Sequence, residues 1–265
     1  MRQEWGRNAR KAARGVLRRF GVQRPEDIRV DAFAHAYGIE IESMRLDSMT
    51  AQLYRRGSRS VIWVSDREKD ECALRFSLAH ELGHFLLNHT IPLDTIHRAA
   101  RRVVPPGERN VEVEANLFAA ELLLPREMVA AYLHTTISLD PAWAIAARFN
   151  VSILAAARRF VERSSARCAA VFSIDGQIVW FEPSATFRGN LQHGQRLAPR
   201  SAAAAYFDGR TLADQPIDVP SDAWPDVWSA NLVEHATASP EHRSVLSILW
   251  DRDVDSTSDQ SVARR

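Results

Sequence analysis

The sequence predicts an α+β protein, on three observations. Its first half reads mostly as amphipathic helix broken by one short strand and one hairpin, and its texture changes to alternating strands after Ser164. Its composition, 46% hydrophobic and 25% charged, is that of a folded globular chain and excludes collagen-like and wholly disordered readings. At 265 residues there is room for one large domain or two small ones. Thirty-four Lys and Arg against 33 Asp and Glu leave a net charge of +1, so no global field draws the chain to nucleic acid or a membrane. A charged partner must be met by a local patch. Lysine occurs only at Lys11 and Lys69, an arginine bias from which no function follows.

Taken in order, residues 4–20 set Trp5, Ala9, Ala12, Val16 and Phe20 against Arg7, Arg10, Lys11, Arg14 and Arg18, the spacing of an amphipathic helix that ends at Gly21. Its basic face is read as the solvated side. A second helix is expected from Val30 to Tyr37, stopping at Gly38, and the alternation Ile39-Glu40-Ile41-Glu42 reads as a strand. Residues 51–54 and 60–64 form a hairpin around the turn-like 55–59. A long helix is expected over 68–88, with Leu74, Leu78, Leu82, Phe85 and Leu86 facing the core.

Pro92, Pro105, Pro106 and Gly107 break residues 90–110, which read as a short helix inside a mobile loop carrying Arg98, Arg101 and Arg102. Helix resumes from Asn110 to Leu124, where Pro125 interrupts it. Residues 141–149 and 153–161 flank the turn Asn150-Val151-Ser152 as a helix-turn-helix-like pair. Strands follow at 169–174 and 177–181 around Asp175-Gly176, then mixed elements to Trp250 and a polar tail expected to be disordered.

Cys72 and Cys168 can make neither a disulfide framework nor a thiolate cage, and both are expected to be reduced and structural. With no apolar signal-peptide region and no run of about 18 apolar residues, the expected location is the cytoplasm, without a membrane partner.

The stretch that carries chemistry is Ala79-His80-Glu81-Leu82-Gly83-His84, an HExxH sequence within the long helix. His80 and His84 lie one turn apart on one face, so both imidazoles can ligate one metal at about 2.0–2.1 Å. That face turns away from the leucine stripe, so the histidines are expected to look out of the core into a cleft. Glu81 lies beside the pair, placed as a general base on water. A catalytic zinc needs a third protein ligand and an open position. His89 falls about 140° round the helix and is rejected; His97, in the broken loop, is unanchored. The helix at 111–120 offers Glu112 and Glu114 on different faces. Glu112 shares its face with Asn116 and Ala119, and small Ala115 and Ala119 would let this helix come close, which favours Glu112 only slightly.

Residues 77–87, through AHELGH, and 112–125, EVEANLFAAELLLP, together resemble the ImmA/IrrE family of metallopeptidases, whose pattern is AHELGH followed by ExxAN.FAA.LL.P. With the preceding hairpin the resemblance covers residues 40 to 130. It implies that Glu112 is the third ligand, that Asn116 orients a ligand from the second shell, and that Glu81 is the catalytic base. It also implies a gluzincin-like minimal metallopeptidase domain at 1–130, a helix-turn-helix-like helical module at 131–164, a GAF-like sensor domain at 165–252 and a disordered tail at 253–265. The implied activity is site-specific zinc-dependent cleavage of an Xre-type helix-turn-helix repressor, which relieves repression in stress response or in mobile elements. Manganese also suits a donor set of nitrogen and oxygen.

Other features have a plainer reading. Arg148, Arg158, Arg159 and Arg163 could let the helical pair bind DNA, but a structural module is favoured. Trp180, Phe181, Tyr206, Phe207, Trp224, Trp228 and Trp250 are expected to be core rather than a ligand pocket. Cys72 stands about 12 Å along the helix from His80, too far to reach a metal. Tyr54, Tyr132 and His134 are candidates to stabilise an oxyanion, and the hairpin could offer an edge strand to an extended peptide. Two rivals stand beside this reading. One is a metal-stabilised sensor or transcription regulator that binds DNA or a repressor without cutting; the other is a general peptidase that would also degrade casein.

Overall fold

The computed structural model describes residues 2–47, 49–89, 110–133 and 136–252, with side chains from Gly6 onward. The short helix expected within 90–110, with His97 and its arginines, lies outside the described residues, as do His134 and the tail from 253. The chain divides into two compact units, Met1–Met128 with Arg148–Ser152, and Val129–Ala147 with Ile153–Arg265. Both mix helix and strand around their own cores, so the fold is α+β. Among the described residues no helix is long and apolar enough to cross a membrane.

In the first unit, α1 (Arg2–Arg19) and α2 (Val30–Ala36) precede a three-stranded sheet of β1 (Ile39–Met44), β2 (Ala51–Arg56) and β3 (Arg59–Ser65). The spatial order is β1-β3-β2, β1 parallel and β2 antiparallel to β3, with Ile41 and Leu53 both opposite Ile62. Then come α3 (Glu71–Leu86) and α4 (Val111–Leu123). Each helix starts where a side chain satisfies its first amides. Asp70 Oδ1 accepts from the N–H of Cys72 and of Ala73 at 2.8 and 3.2 Å, and Asn110 Oδ1 accepts from that of Val113 at 3.1 Å.

Helices α3 and α4 pack through Ala79, Leu82, Ala115, Phe118, Ala119 and Leu122, all fully buried. Ala9, Ala13, Val16 and Leu17 of α1 are buried as α1 packs on α4; of the basic face, Arg7, Lys11 and Arg18 are exposed as expected, while Arg10 and Arg14 are half-buried and Arg14 pairs with the buried Glu121 at 3.2 Å. The buried stripe of α3 differs from the expected one: Leu74 and Leu78 are only half-buried, and Ala79, Leu82 and Gly83 carry the contact. Small residues decide this, because a close helix approach needs the face with the least side-chain bulk.

In the second unit, α6 (Asp140–Phe149, whose last residues belong to the first unit) and α7 (Ile153–Arg163) follow the short α5 (Arg126–Val129). A five-stranded antiparallel sheet is built from β4 (Cys168–Ile174), β5 (Gln177–Pro183), β6 (Ile217–Asp218), β7 (Leu232–Ser239) and β8 (Ser244–Asp251) in the order β5-β4-β8-β7-β6, with α8 (Ala202–Phe207) inserted after β5. Asp175 and Gly176 turn the β4–β5 hairpin at φ of +49° and +75°, the positive pair such tight turns require. Trp224 sits in the core with Val171, Ile178 and Leu249, whereas Trp228 is 70% exposed and departs from the expected core role. The two thiols are free; burial pushes Cys168 up to about 11.

Candidate metal centre

The centre is set by how closely α3 and α4 approach. A Cβ added at Gly83 would stand 2.9 Å from Phe118 Cδ1 of α4, so glycine is what lets the two backbones meet here. At that separation His80 and His84 on α3 face Glu112 on the first turn of α4. His80 Nε2 lies 2.9 Å from His84 Nε2 and 3.3 Å from Glu112 Oε2, and His84 Nε2 lies 3.6 Å from Glu112 Oε1. A tetrahedral zinc with bonds of about 2.0–2.1 Å spaces its ligand atoms by about 3.3 Å. The three side chains therefore fit a single ion, and they form a three-ligand group among the described residues.

Burial corrects one expectation. Glu112 and His80 keep some exposure, but His84 is 1% exposed and lies inside the α3–α4 contact rather than facing a cleft. Asn116, one turn beyond Glu112, stands with Oδ1 2.9 Å from His80 Nδ1. The ring donates there through Nδ1–H, so Nε2 is the nitrogen turned toward Glu112 and His84. The hydrogen bonds from His80 and His84 hold the Glu112 carboxyl well below the usual range, a charged donor ready for a cation. Burial lowers the pKa of His80, but Glu112, Glu81 and Asn116 together raise it above the ordinary value.

Glu81 takes a different position. Its Oε2 accepts the N–H of Leu53 on β2 at 2.9 Å, which fixes the carboxylate against the sheet and beside the histidine pair. Burial raises its pKa, opposed by His80, His84 and the Leu53 amide. A carboxylate raised in this way is better suited to take up a proton at neutral pH.

His89 was rejected as a ligand because a continuing helix would carry it away from the pair. The helix does not continue. Asn88 adopts φ +52°, the Asn88 N–H bonds Phe85 O at 3.1 Å and the His89 N–H bonds His84 O at 3.0 Å, the paired bonds of a Schellman cap. That cap folds His89 back, so its ring meets His84 on the side away from Glu112. Asparagine at the helix end was the one sequence signal that could have found it. Glu114, the alternative to Glu112, is buried and lies 3.4 Å from His89 Nε2. Of the residues considered for an oxyanion, Tyr54 stacks on Trp63 at 4.8 Å between ring centroids, and Tyr132 belongs to the second unit.

A helix pair presenting two histidines and a glutamate, with a second glutamate beside them, defines the metallopeptidase-like class. The particular family follows from the comparisons. Residues 34–161 match the Peptidase M78 family model, the IrrE N-terminal-like domain, and the match supports membership of the ImmA/IrrE family for this part of the chain. Among solved structures a Mycobacterium tuberculosis transcriptional regulator shares the fold at a TM-score of 0.60 and 15% identity, over 92% of this chain and 76% of its own. No curated protein matches the chain.

Proposed function

We propose that the chain is a site-specific zinc metalloendopeptidase that cuts an Xre-type helix-turn-helix repressor in the cytoplasm and so derepresses stress-response or mobile-element genes. The observation that carries this reading is the convergence of His80, His84 and Glu112 at ligand spacing with Glu81 beside them. The three would hold the ion, with manganese an alternative occupant. When bound, the ion supplies Lewis-acid polarisation of a carbonyl and an acidified water. Glu81, anchored by the Leu53 amide, takes the proton from the attacking water and delivers it to the leaving amine. Asn116 keeps His80 in the tautomer that presents Nε2.

Within this reading the first unit is a gluzincin-like minimal peptidase and the five-stranded unit a GAF-like sensor. The neighbouring structure's description as a transcriptional regulator agrees with a role in gene control. Direct DNA binding by the helical pair is disfavoured, because three of the four arginines considered for it are engaged locally. Arg158 lies over Trp180 at 4.7 Å, Arg159 is buried against Glu162 at 2.8 Å, and Arg148 pairs with Glu26.

The test is to incubate the zinc-loaded protein with the helix-turn-helix repressor encoded beside it and with casein, read by intact mass. One cut in the repressor and none in casein is expected. Casein degradation would favour a general peptidase, and tight repressor binding without a cut would favour the metal-stabilised regulator.

A further inference from the structure

We infer that His89 and Glu114 form a positioning relay that fixes the tautomer and orientation of His84 from behind. The inference rests on the metal-centre reading above and adds two residues to it. His89 Nδ1 lies 2.9 Å from His84 Nδ1, and His89 Nε2 lies 3.4 Å from Glu114 Oε2. The two rings meet edge to face, at 4.9 Å between centroids and 75° between planes. All three side chains are buried, His84 at 1%, His89 at 5% and Glu114 at 2% exposure, where polar contacts of this kind count for most.

The direction of the chain follows from chemistry. An ionised carboxylate only accepts, so the ring nitrogen facing Glu114 carries a proton. In the proposed relay His89 is neutral and protonated at Nε2, so its bare Nδ1 accepts from His84. His84 therefore carries its proton on Nδ1 and presents a lone pair at Nε2. The reverse order would set a bare Nε2 of His89 against the Glu114 carboxylate, two acceptors with no proton between them. His80 reaches the same state through Asn116. Both Nε2 atoms then converge 2.9 Å apart beside Glu112, an arrangement that a bound cation stabilises.

The relay is built into the backbone as well. The cap at Asn88 brings the chain back, and the His89 N–H to His84 O bond at 3.0 Å ties the supporting residue to the residue it supports. Glu114 stands two positions from Glu112 on α4, so one helix supplies a ligand and the end of the relay. Outer partners of this kind govern metal affinity by about 10–100-fold.

The experiment is a zinc competition titration against a chromophoric chelator on the full chain. His89→Leu replaces the ring with a side chain that accepts nothing. His89→Asn places an amide oxygen where Nδ1 stood. The expected result is a loss of zinc affinity of about 10–100-fold for Leu, with Asn retaining most of the wild-type affinity. A packing role would give the opposite order, since Leu fills more of the space. Leu binding as tightly as wild type, or Asn falling as far as Leu, overturns the relay.

A readout that needs no substitution is the ring 15N spectrum of zinc-loaded wild type, where the His84 Nδ1–H should couple across a hydrogen bond to a bare His89 Nδ1; a His89 Nδ1 that carries its own proton overturns the proposal. Glu112→Gln separates this from the reading beneath it. If wild type fails to bind one zinc, or Glu112→Gln binds as wild type does, the metal centre itself fails. If both behave as expected and His89→Leu is silent, the relay alone fails.

Discussion

Gly83 shows how much one side chain can decide. Its Cα lies where a methyl would meet the fully buried ring of Phe118 at 2.9 Å, and a buried aromatic ring has little room to yield. Gly83→Ala is expected to cost about 1–3 kcal/mol, read as a lower urea midpoint, and to weaken zinc binding by spreading α3 from α4. An unchanged midpoint would mean the helices do not depend on that contact. His235, in the second unit, acts through its protonation. Its Nδ1 accepts the Leu139 N–H at 3.1 Å, and burial holds its pKa below the ordinary value against the opposing pull of Asp140 and Asp214. The unfolded chain binds a proton near pH 6.5 that the folded ring refuses, so this stability is present above about 6.5 and is lost as pH falls through the folded value. Urea midpoints should therefore drop between about pH 7 and pH 5, and His235→Asn should flatten that slope. An identical slope in the variant would remove His235 as the cause.

At the scale of elements, Glu234 on β7 joins parts of the second unit that sequence spacing does not connect. It is fully buried and accepts four hydrogen bonds: from the amides of Ala202 and Ala203 at the start of α8 at 2.9 and 3.0 Å, from Trp224 Nε1 at 2.9 Å and from Ser247 Oγ on β8 at 2.8 Å. Glu234→Ala strands all four donors and is expected to destabilise by about 3 kcal/mol or more, measured by thermal unfolding. A loss under about 1 kcal/mol would show that water satisfies them.

The same scale shows what could be read from residues alone. The helix carrying His80 and His84, the hairpin before it and the strands around Asp175-Gly176 follow from periodicity and turn chemistry, which are local properties. Glu112 was only slightly preferred over Glu114 on geometry, because helical angle separates the two faces without saying which one meets the histidines; the packing of α3 on α4 settles which is near. The burial of His84, the parallel pairing of β1 with β3 and the return of His89 depend on tertiary approach or on one left-handed residue. Hydrophobic periodicity carries none of these. Trp228 was misplaced for a related reason: an aromatic residue is core on average, and its own exposure is set by the loop it stands on.

For the whole molecule, a net charge of +1 gives no long-range steering, so any macromolecular partner must be selected by shape and local contacts. Metal removal provides a global check. Zinc at about 100 times its Kd should stabilise the folded chain by about 2.7 kcal/mol, so chelation should lower the unfolding temperature, and His80→Ala should abolish the difference. The central claim is that one centre holds the ion through His80, His84 and Glu112 while Glu81 moves the proton. The most direct measurement is bound zinc and repressor cleavage in the same preparation of Glu81→Gln. The account predicts full zinc occupancy with cleavage slowed by about 10²-fold or more. Cleavage at the wild-type rate by zinc-loaded Glu81→Gln would contradict it.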